Sequence, residues 1–255
     1  MVDPATHRLV FVGGLHRSGT TLLGRCLAEH PEVSGFAETG VPADEGQHLQ
    51  TDYPTARTNG GPGKFGFAEA AHLTETSPLA TEENARRLLA EWEPYWDVDR
   101  PVLVEKSPPN LIRFRFLQAL YPEAFLVAVT RHPAAVSLAT QKWSKTSVRS
   151  LLEHWVTCHR TFAADRPLLA RVHVVRYEDL VARPQAVLDG VYGFLRLESH
   201  PVSVDIRPDG NASYFALWAA LGRGSLGRAR VRRLERRFEN DVEPFGYSLV
   251  ALPTA

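Results

Sequence analysis

Length, composition and charge limit what this chain can be. Its 255 residues suffice for one α/β core and are few for two independent domains. Hydrophobic residues make up 44% and charged residues 23%, the balance of a globular protein, and the formal net charge is zero. From this length we expect a single domain over 1–255. A neutral chain has no bulk attraction to nucleic acid, so we expect no nucleic-acid partner.

The N-terminal stretch and the cysteine content bear on location and metal binding. The opening MVDPATHRLVFVGG has an early acid and proline and leads directly into a strand pattern, unlike a signal peptide. Apolar runs are too short to span a bilayer. Cys26 and Cys158 are too few for a disulfide framework or a cysteine zinc site. We therefore expect a cytoplasmic protein with no membrane span and no metal.

Short apolar runs alternate with helical patterns along the chain. Strands are predicted at 8–14, 32–35, 101–107, 124–132 and 171–180. Helices are predicted at 20–31, 77–97, 109–120, 133–144, 147–165 and 184–195. The main strands are nearly continuous apolar runs, as in a parallel sheet covered on both faces. The pattern predicts a three-layer α/β/α domain with a central parallel sheet.

Two stretches depart from this rhythm. Residues 39–66, which contain TNGGPGKFG, have no sustained hydrophobic period, and so long a loop in a compact domain is usually functional. We expect it to be a mobile substrate loop. Residues 222–241 are strongly basic and then form a helix that places Val231, Leu234 and Phe238 on one side.

The loop GLHRSGTT at 14–21 joins the first strand to the first helix. A Walker A loop has a lysine before its final hydroxyl, but here Thr20 takes that position and the positive charge moves to Arg17. Backbone N–H groups at a helix N-terminus still bind anions, and Ser18 and Thr21 add hydroxyl donors. The sequence therefore predicts a phosphate loop that does not serve a metal-dependent ATPase.

A second strand–helix junction repeats this arrangement at 127–143, VAVTRHPAAVSLATQKW. Pro133 suits the first position of a helix, which places Arg131 at the carboxyl edge of the sheet. Ligands of parallel sheets bind outside the carboxyl ends of the strands. Two such sites predict a nucleotide with two separate phosphate groups.

These paired motifs resemble the sulfotransferase family that uses 3′-phosphoadenosine 5′-phosphosulfate (PAPS) and releases 3′-phosphoadenosine 5′-phosphate (PAP). The RYEDL segment at 176–180 is also similar to that family. The resemblance implies that Arg131 binds the 3′-phosphate. The serine that the family commonly places on the following helix is replaced by Ala139, so Ser137 or Thr140 is expected to substitute. The 5′-phosphosulfate loop corresponds to Arg17, Ser18, Gly19, Thr20 and Thr21.

The resemblance also implies a general base and a cation. The segment HPEVSGFAETGVP resembles that of tyrosylprotein and related Golgi-type sulfotransferases, which makes Glu38 the expected base. His48 is the rival base, and His16 is a weaker one. Lys106, at a strand end in VLVEKSP, is the expected cation, and Arg17 shares its role because its fork geometry suits oxyanions.

Three further residues are weaker candidates for nucleotide contacts. Arg223 and Arg228 loosely resemble the basic segment that binds the 3′-phosphate in this family, although a solvated charge run explains them equally well. Tyr177 is placed near the adenosine, or else fills the core as a strand residue.

Two other functions stay open. A small-metabolite kinase would share a phosphate loop, but the Walker lysine and a Walker B aspartate are missing from the sequence. A non-catalytic nucleotide-binding protein would keep the fold alone. The expected acceptor is a hydroxyl of a small molecule or carbohydrate, in a pocket shaped by 39–66 and 92–96. The sequence does not indicate the acceptor's identity or the oligomeric state.

Overall fold

A five-stranded sheet forms the centre of the computed structural model, which describes residues 2–252. The strands are β1 (Arg8–Gly14), β2 (Val33–Gly35), β3 (Val102–Lys106), β4 (Phe125–Thr130) and β5 (Val172–Arg176). Their order is β2-β3-β1-β4-β5, and every neighbouring pair is parallel. The predicted parallel sheet is confirmed. Because β1 is central, its carboxyl end lies between those of β3 and β4.

Helices cover both faces of the sheet. They are α1 (Thr20–Ala28), α2 (Glu82–Trp92), α3 (Phe114–Leu120), α4 (Pro133–Ser144), α5 (Val148–Asp165), α6 (Tyr177–Ala182), α7 (Pro184–Phe194), α8 (Ala212–Leu221) and α9 (Gly224–Val242). Short 3₁₀ turns lie between several of them. Within residues 2–252 no helix combines the length and the apolar character that crossing a bilayer requires.

Alternate residues of β1 face two separate apolar cores, because successive side chains of a strand point to opposite faces. Val10 and Val12 pack in one core with residues of α1 and α7. Leu9 and Phe11 pack in the other with residues of α2, α3 and α5. The predicted three-layer α/β/α architecture is therefore confirmed. The single-domain extent of 1–255 stays a prediction and reaches beyond the described residues at both ends.

The predicted strand 171–180 is wrong at its end. The strand stops at Arg176, and Tyr177 begins α6. Glu178 and Asp179 stand in the first turn of that helix, where the helix dipole favours negative charge. Tyr177 is buried, but it is not the strand residue that the sequence predicts.

Other predicted boundaries also change. The helix predicted at 77–97 is confined to α2, whose N-cap Thr81 accepts a hydrogen bond from the Asn84 backbone N–H. The helix predicted at 109–120 begins as a 3₁₀ turn, Pro108–Ile112, and continues as α3. No element is predicted at 196–221, where the structure has α8. In α9, the predicted apolar face is buried.

The segment 39–66 carries only short 3₁₀ turns, as its lack of hydrophobic period indicates. Its interior is nevertheless packed against the domain, because Gln47 and Phe65 have exposed fractions of 0% and Tyr53 of 4%. Gln47 uses its backbone N–H and both ends of its amide in hydrogen bonds. The segment's mobility stays a prediction.

Candidate active site

The predicted phosphate loop is a tight connection between β1 and α1. Ser18 makes two hydrogen bonds to Leu15 across the loop. Its backbone N–H donates to the Leu15 carbonyl at 2.9 Å, and its Oγ accepts from the Leu15 N–H at 3.1 Å. Arg17 and Gly19 have φ of 71° and 105°, in the left-handed region. A Cβ on Gly14 would lie 2.5 Å from Ser18 Oγ, so glycine is required there.

The loop's hydroxyls are not equally accessible. Ser18 and Thr20 are buried, with exposed fractions of 1% and 4%, whereas Thr21 is half-buried. Ser18 therefore shapes the loop, and Thr21 together with the first-turn N–H groups of α1 can meet an anion. The Arg17 guanidinium is exposed and lies 4.7 Å from the ring centroid of Trp143 on α4.

Arg131, directly after β4, joins the second predicted phosphate site to this loop. Its Nη1 donates to the Arg17 carbonyl at 2.8 Å. Its Nε donates to Asn211 Oδ1 at 2.8 Å and its Nη2 to the Gly210 carbonyl at 2.7 Å. The guanidinium also stacks on Tyr177, 3.9 Å from the ring centroid. The structure therefore brings Arg17, Arg131 and Tyr177 together, and their roles as nucleotide ligands stay predictions.

A polar cluster lies beside the loop at the carboxyl end of β3. Lys106 Nζ donates to the Ala43 carbonyl at 2.6 Å and lies 3.8 Å from Glu45 Oε1. Glu45 Oε2 lies 3.7 Å from His48 Nε2. His16 is close enough for Lys106 and His48 to depress its pKa, but burial has the larger effect and lowers that pKa to about 3. At neutral pH His16 is therefore uncharged and a weak base.

These elements match those of a known enzyme family. The family model described as the sulfotransferase family matches residues 10–201, which include the phosphate loop, Lys106 and Arg131. The chain belongs to the sulfotransferase family. This family supports sulfuryl transfer as the reaction class rather than phosphoryl transfer by a metabolite kinase.

Solved sulfotransferase structures share the fold. A sulfotransferase domain from the curacin biosynthetic pathway is 19% identical, with a TM-score of 0.57, over 97% of this chain and 99% of that one. The sulfotransferase STF1 from Mycobacterium tuberculosis H37Rv is 17% identical, with a TM-score of 0.53, over 93% of this chain and 78% of that one. STF9 from Mycobacterium avium is 15% identical, with a TM-score of 0.55, over 95% and 78%. At these identities the likeness shows the fold alone.

The two predicted bases of this sulfotransferase lie in different surroundings. Glu38 is exposed at the start of the 39–66 segment, with φ of 54°. His48 is half-buried inside the Lys106 cluster, and its pKa is lowered by burial and by the charges of Lys106 and Arg57. Glu38 is thus open to an acceptor from solvent, whereas His48 is fixed beside the predicted cation.

Glu105 and Lys106 are neighbours on β3, but their side chains have different partners. Glu105 has an exposed fraction of 0%, and its carboxylate accepts hydrogen bonds from Ser107 Oγ and Asn110 Nδ2, each at 2.5 Å. Lys106 instead contacts Ala43 and Glu45. Pairing between the two neighbours therefore does not explain the lysine.

Ser137, proposed from the sequence for the 3′-phosphate, lies under the loop. Its exposed fraction is 1%, and it lines a small cavity together with His16, Thr140 and His154. Within residues 2–252 its Oγ has no hydrogen-bond partner. Thr140 Oγ1 donates to the His16 carbonyl at 3.4 Å. The structure thus groups both hydroxyls with His16 and not with the hydrogen bonds of Arg131.

Arg223 and Arg228 are both exposed at the start of α9. Their role as nucleotide ligands stays a prediction. Sequence reasoning missed Asn211 and Gly210, which contact Arg131, and Glu45, which contacts Lys106. No sequence motif marks Asn211 and Gly210, and none marks Glu45. For Glu45, the available signal was its place in a long loop near Glu38 and His48.

Proposed function

We propose that this sulfotransferase moves the sulfuryl group of PAPS to a hydroxyl of a small-molecule or carbohydrate acceptor. The observation that supports this most is the 2.8 Å hydrogen bond from Arg131 Nη1 to the Arg17 carbonyl. It joins the two predicted phosphate sites at one edge of the sheet. A nucleotide with phosphate groups on both its 3′ and 5′ positions would present one group to each predicted anion site.

The described residues suit such a donor. The first-turn N–H groups of α1, Thr21 and Arg17 would hold the 5′-phosphosulfate. Arg131 is 6% exposed and donates three of its five N–H groups to the protein; the remaining two would hold the 3′-phosphate. The Tyr177 ring beside that guanidinium provides an apolar surface near the nucleoside.

The chain's own residues supply what sulfuryl transfer needs. The acceptor oxygen forms a bond to sulfur as the bond from sulfur to the 5′-phosphate oxygen breaks, and PAP leaves. The acceptor's proton passes to Glu38 or His48 as general base. Lys106 and Arg17 stabilise the negative charge that develops on the leaving bridge oxygen. None of these steps requires a metal ion.

Calorimetric titration with PAP, ADP and ATP, each with and without Mg²⁺, tests the donor. We expect PAP to bind most tightly and without a requirement for Mg²⁺. Preference for ATP with Mg²⁺ would contradict the proposal and favour a kinase. PAP binding without sulfuryl transfer from PAPS to any hydroxyl compound in an acceptor panel would favour a nucleotide-binding protein without catalysis.

A matched pair of variants makes the test specific. Arg131→Ala is expected to weaken the binding of PAP by about 10- to 100-fold, the usual effect of losing a charge-assisted hydrogen bond. Arg160→Ala is the control, since Arg160 is exposed and pairs with Asp241 at 2.7 Å on another surface. Equal affinities in the two variants would remove Arg131 from the nucleotide site.

A further inference from the structure

The carboxylate of Glu45 lies between two side chains of the proposed active site. Its Oε1 is 3.8 Å from Lys106 Nζ, and its Oε2 is 3.7 Å from His48 Nε2. The side chains of Glu45 and Lys106 are each 9% exposed. An acid buried to this extent requires a partner, because an unpaired buried charge is strongly unfavourable. Lys106 is that partner.

Gln47 fixes the orientation of this carboxylate. Its Nε2 donates to Glu45 Oε2 at 2.5 Å, and its Oε1 accepts from the Ala56 N–H at 2.7 Å. Its backbone N–H donates to Ser107 Oγ at 2.9 Å. Gln47 is fully buried, so these bonds are shielded from water. The amide can therefore hold the acid in one position.

The turn that carries Glu45 is also held by contacts with Glu105 and Trp92. A Cβ on Gly46 would lie 2.5 Å from both Cγ and Oε1 of Glu105, so only glycine allows this approach. Trp92 Nε1 donates to the Gly46 carbonyl at 3.0 Å. Ser107 Oγ links Gln47 to Glu105. Such a network has little freedom to move Glu45 away from Lys106.

Several charged or titratable groups are close enough to interact electrostatically with Lys106. They are Asp44, Glu45 and His48 of the 39–66 segment, His16 of the phosphate loop, Glu105 of β3 and Arg25 of α1. Burial lowers the pKa of Lys106, and Glu45 opposes that effect more than Glu105 or Asp44 does. Burial also raises the pKa of Glu45, and the charge of Lys106 opposes that increase, so each group favours the charged form of the other.

We propose that Glu45 is a positioning residue of the active site, which keeps Lys106 protonated and fixes its ammonium group beside the turn that carries Ala43 and Glu45, and that Gln47 holds Glu45 for this role. The catalytic meaning of this role rests on the proposed function, in which Lys106 stabilises the leaving oxygen. The electrostatic part does not depend on substrate. It can therefore be tested in the ligand-free protein.

Lysine-selective NMR titration of the side-chain amines is the direct test. The chain has four lysines, at positions 64, 106, 142 and 145, and Lys106→Arg assigns the relevant signal. Glu45→Gln is expected to lower the titration midpoint of Lys106 by about one pH unit or more, as for loss of an opposite charge at this range. The control Glu69→Gln removes an exposed carboxylate and is expected to leave the midpoint unchanged. An unchanged midpoint in folded Glu45→Gln would overturn the proposal.

Two further variants keep the test decisive if Glu45→Gln does not fold. Glu45→Asp keeps the charge and is expected to retain most of the wild-type midpoint. Gln47→Met fills the space without an amide donor, and is expected to lower the Lys106 midpoint by less than Glu45→Gln does. An unchanged midpoint in Gln47→Met would remove Gln47 from the proposal.

The pH profile of kcat/KM with PAPS separates positioning from a general structural role. In Glu45→Gln the alkaline limb is expected to move to lower pH, because Lys106 then loses its proton earlier. A lower rate with an unmoved limb would contradict the proposal. Failure of PAP to bind would instead contradict the proposed function, while the ligand-free titration would still decide the role of Glu45.

Discussion

Glu105 allows a quantitative prediction about stability. Its side chain is fully buried behind the active-site cluster and accepts hydrogen bonds from Ser107 and Asn110. Burial raises the pKa of this carboxyl from 4.5 to about 7, although the two hydrogen bonds and the charge of Lys106 oppose the increase. In the unfolded chain the carboxyl returns to its ordinary pKa.

The direction of the effect follows from proton binding. Between pH 4.5 and about 7 the folded chain holds one proton more than the unfolded chain at this position. The free energy of unfolding contributed by Glu105 therefore falls as pH rises, by about 1.4 kcal/mol per pH unit. Across that interval the loss amounts to about 3 kcal/mol. The contribution is complete below the unfolded pKa and is lost once pH exceeds the folded one.

Urea unfolding of wild type and Glu105→Gln, at about pH 4 and about pH 8, measures this contribution. Glutamine does not ionise, so the difference in unfolding free energy between the two proteins should change by about 3 kcal/mol over this range, with wild type relatively more stable in acid. Glu69→Gln serves as the control for loss of an exposed carboxylate. A difference that is independent of pH would refute the reasoning.

Three predictions concern catalysis and the loop. Lys106→Ala should lower kcat by orders of magnitude in a PAPS assay while calorimetry shows PAP affinity largely unchanged; full activity would contradict the assignment of the cation. Glu38→Gln should have a similar effect on kcat, and retention of the rate would transfer the base to His48. Gly19→Ala should lower the free energy of unfolding by about 2 kcal/mol or more in urea titration, because of its left-handed backbone. Its added Cβ would also lie 2.5 Å from the α6 tyrosine ring. The control Gly190→Ala has open space at its Cβ and should not destabilise the protein.

The sheet and the phosphate loop could be predicted because local signals determine them. The residues Val10 and Val12 belong to a short apolar run that ends in glycines, and such a run has few alternatives to a buried strand. Pro133 marks the start of α4 by fixing its own φ, which places Arg131 correctly at the strand end. Both features are determined by residues that are close together in the sequence.

The errors arise where tertiary contacts determine the result. Tyr177 follows an apolar strand, and the sequence predicts that it continues the strand, but it begins α6, with two acids in the first turn. Spacing along α4 also does not indicate the cavity that Ser137 lines with His16, and the role of Ser137 toward the 3′-phosphate stays a prediction. Packing between elements that are distant in the sequence cannot be predicted from adjacent residues alone.

The cluster around Lys106 shows the same limit. Glu45 and Gln47 lie far from Lys106 in sequence and have no motif of their own, because the 39–66 segment lacks periodicity. Their roles depend on Gly46 approaching Glu105 closely, which only the folded chain reveals. The sequence therefore predicts a cation and candidate bases, but not the acid that pairs with Lys106.

One measurement tests most directly the central claim that two anion sites hold one nucleotide. PAP and 5′-AMP differ by the 3′-phosphate alone, and each is titrated calorimetrically into wild type and Arg131→Ala. We predict that wild type binds PAP about 10- to 100-fold more tightly than 5′-AMP, and that Arg131→Ala loses most of this preference. A preference for PAP that persists undiminished in Arg131→Ala would contradict the claim.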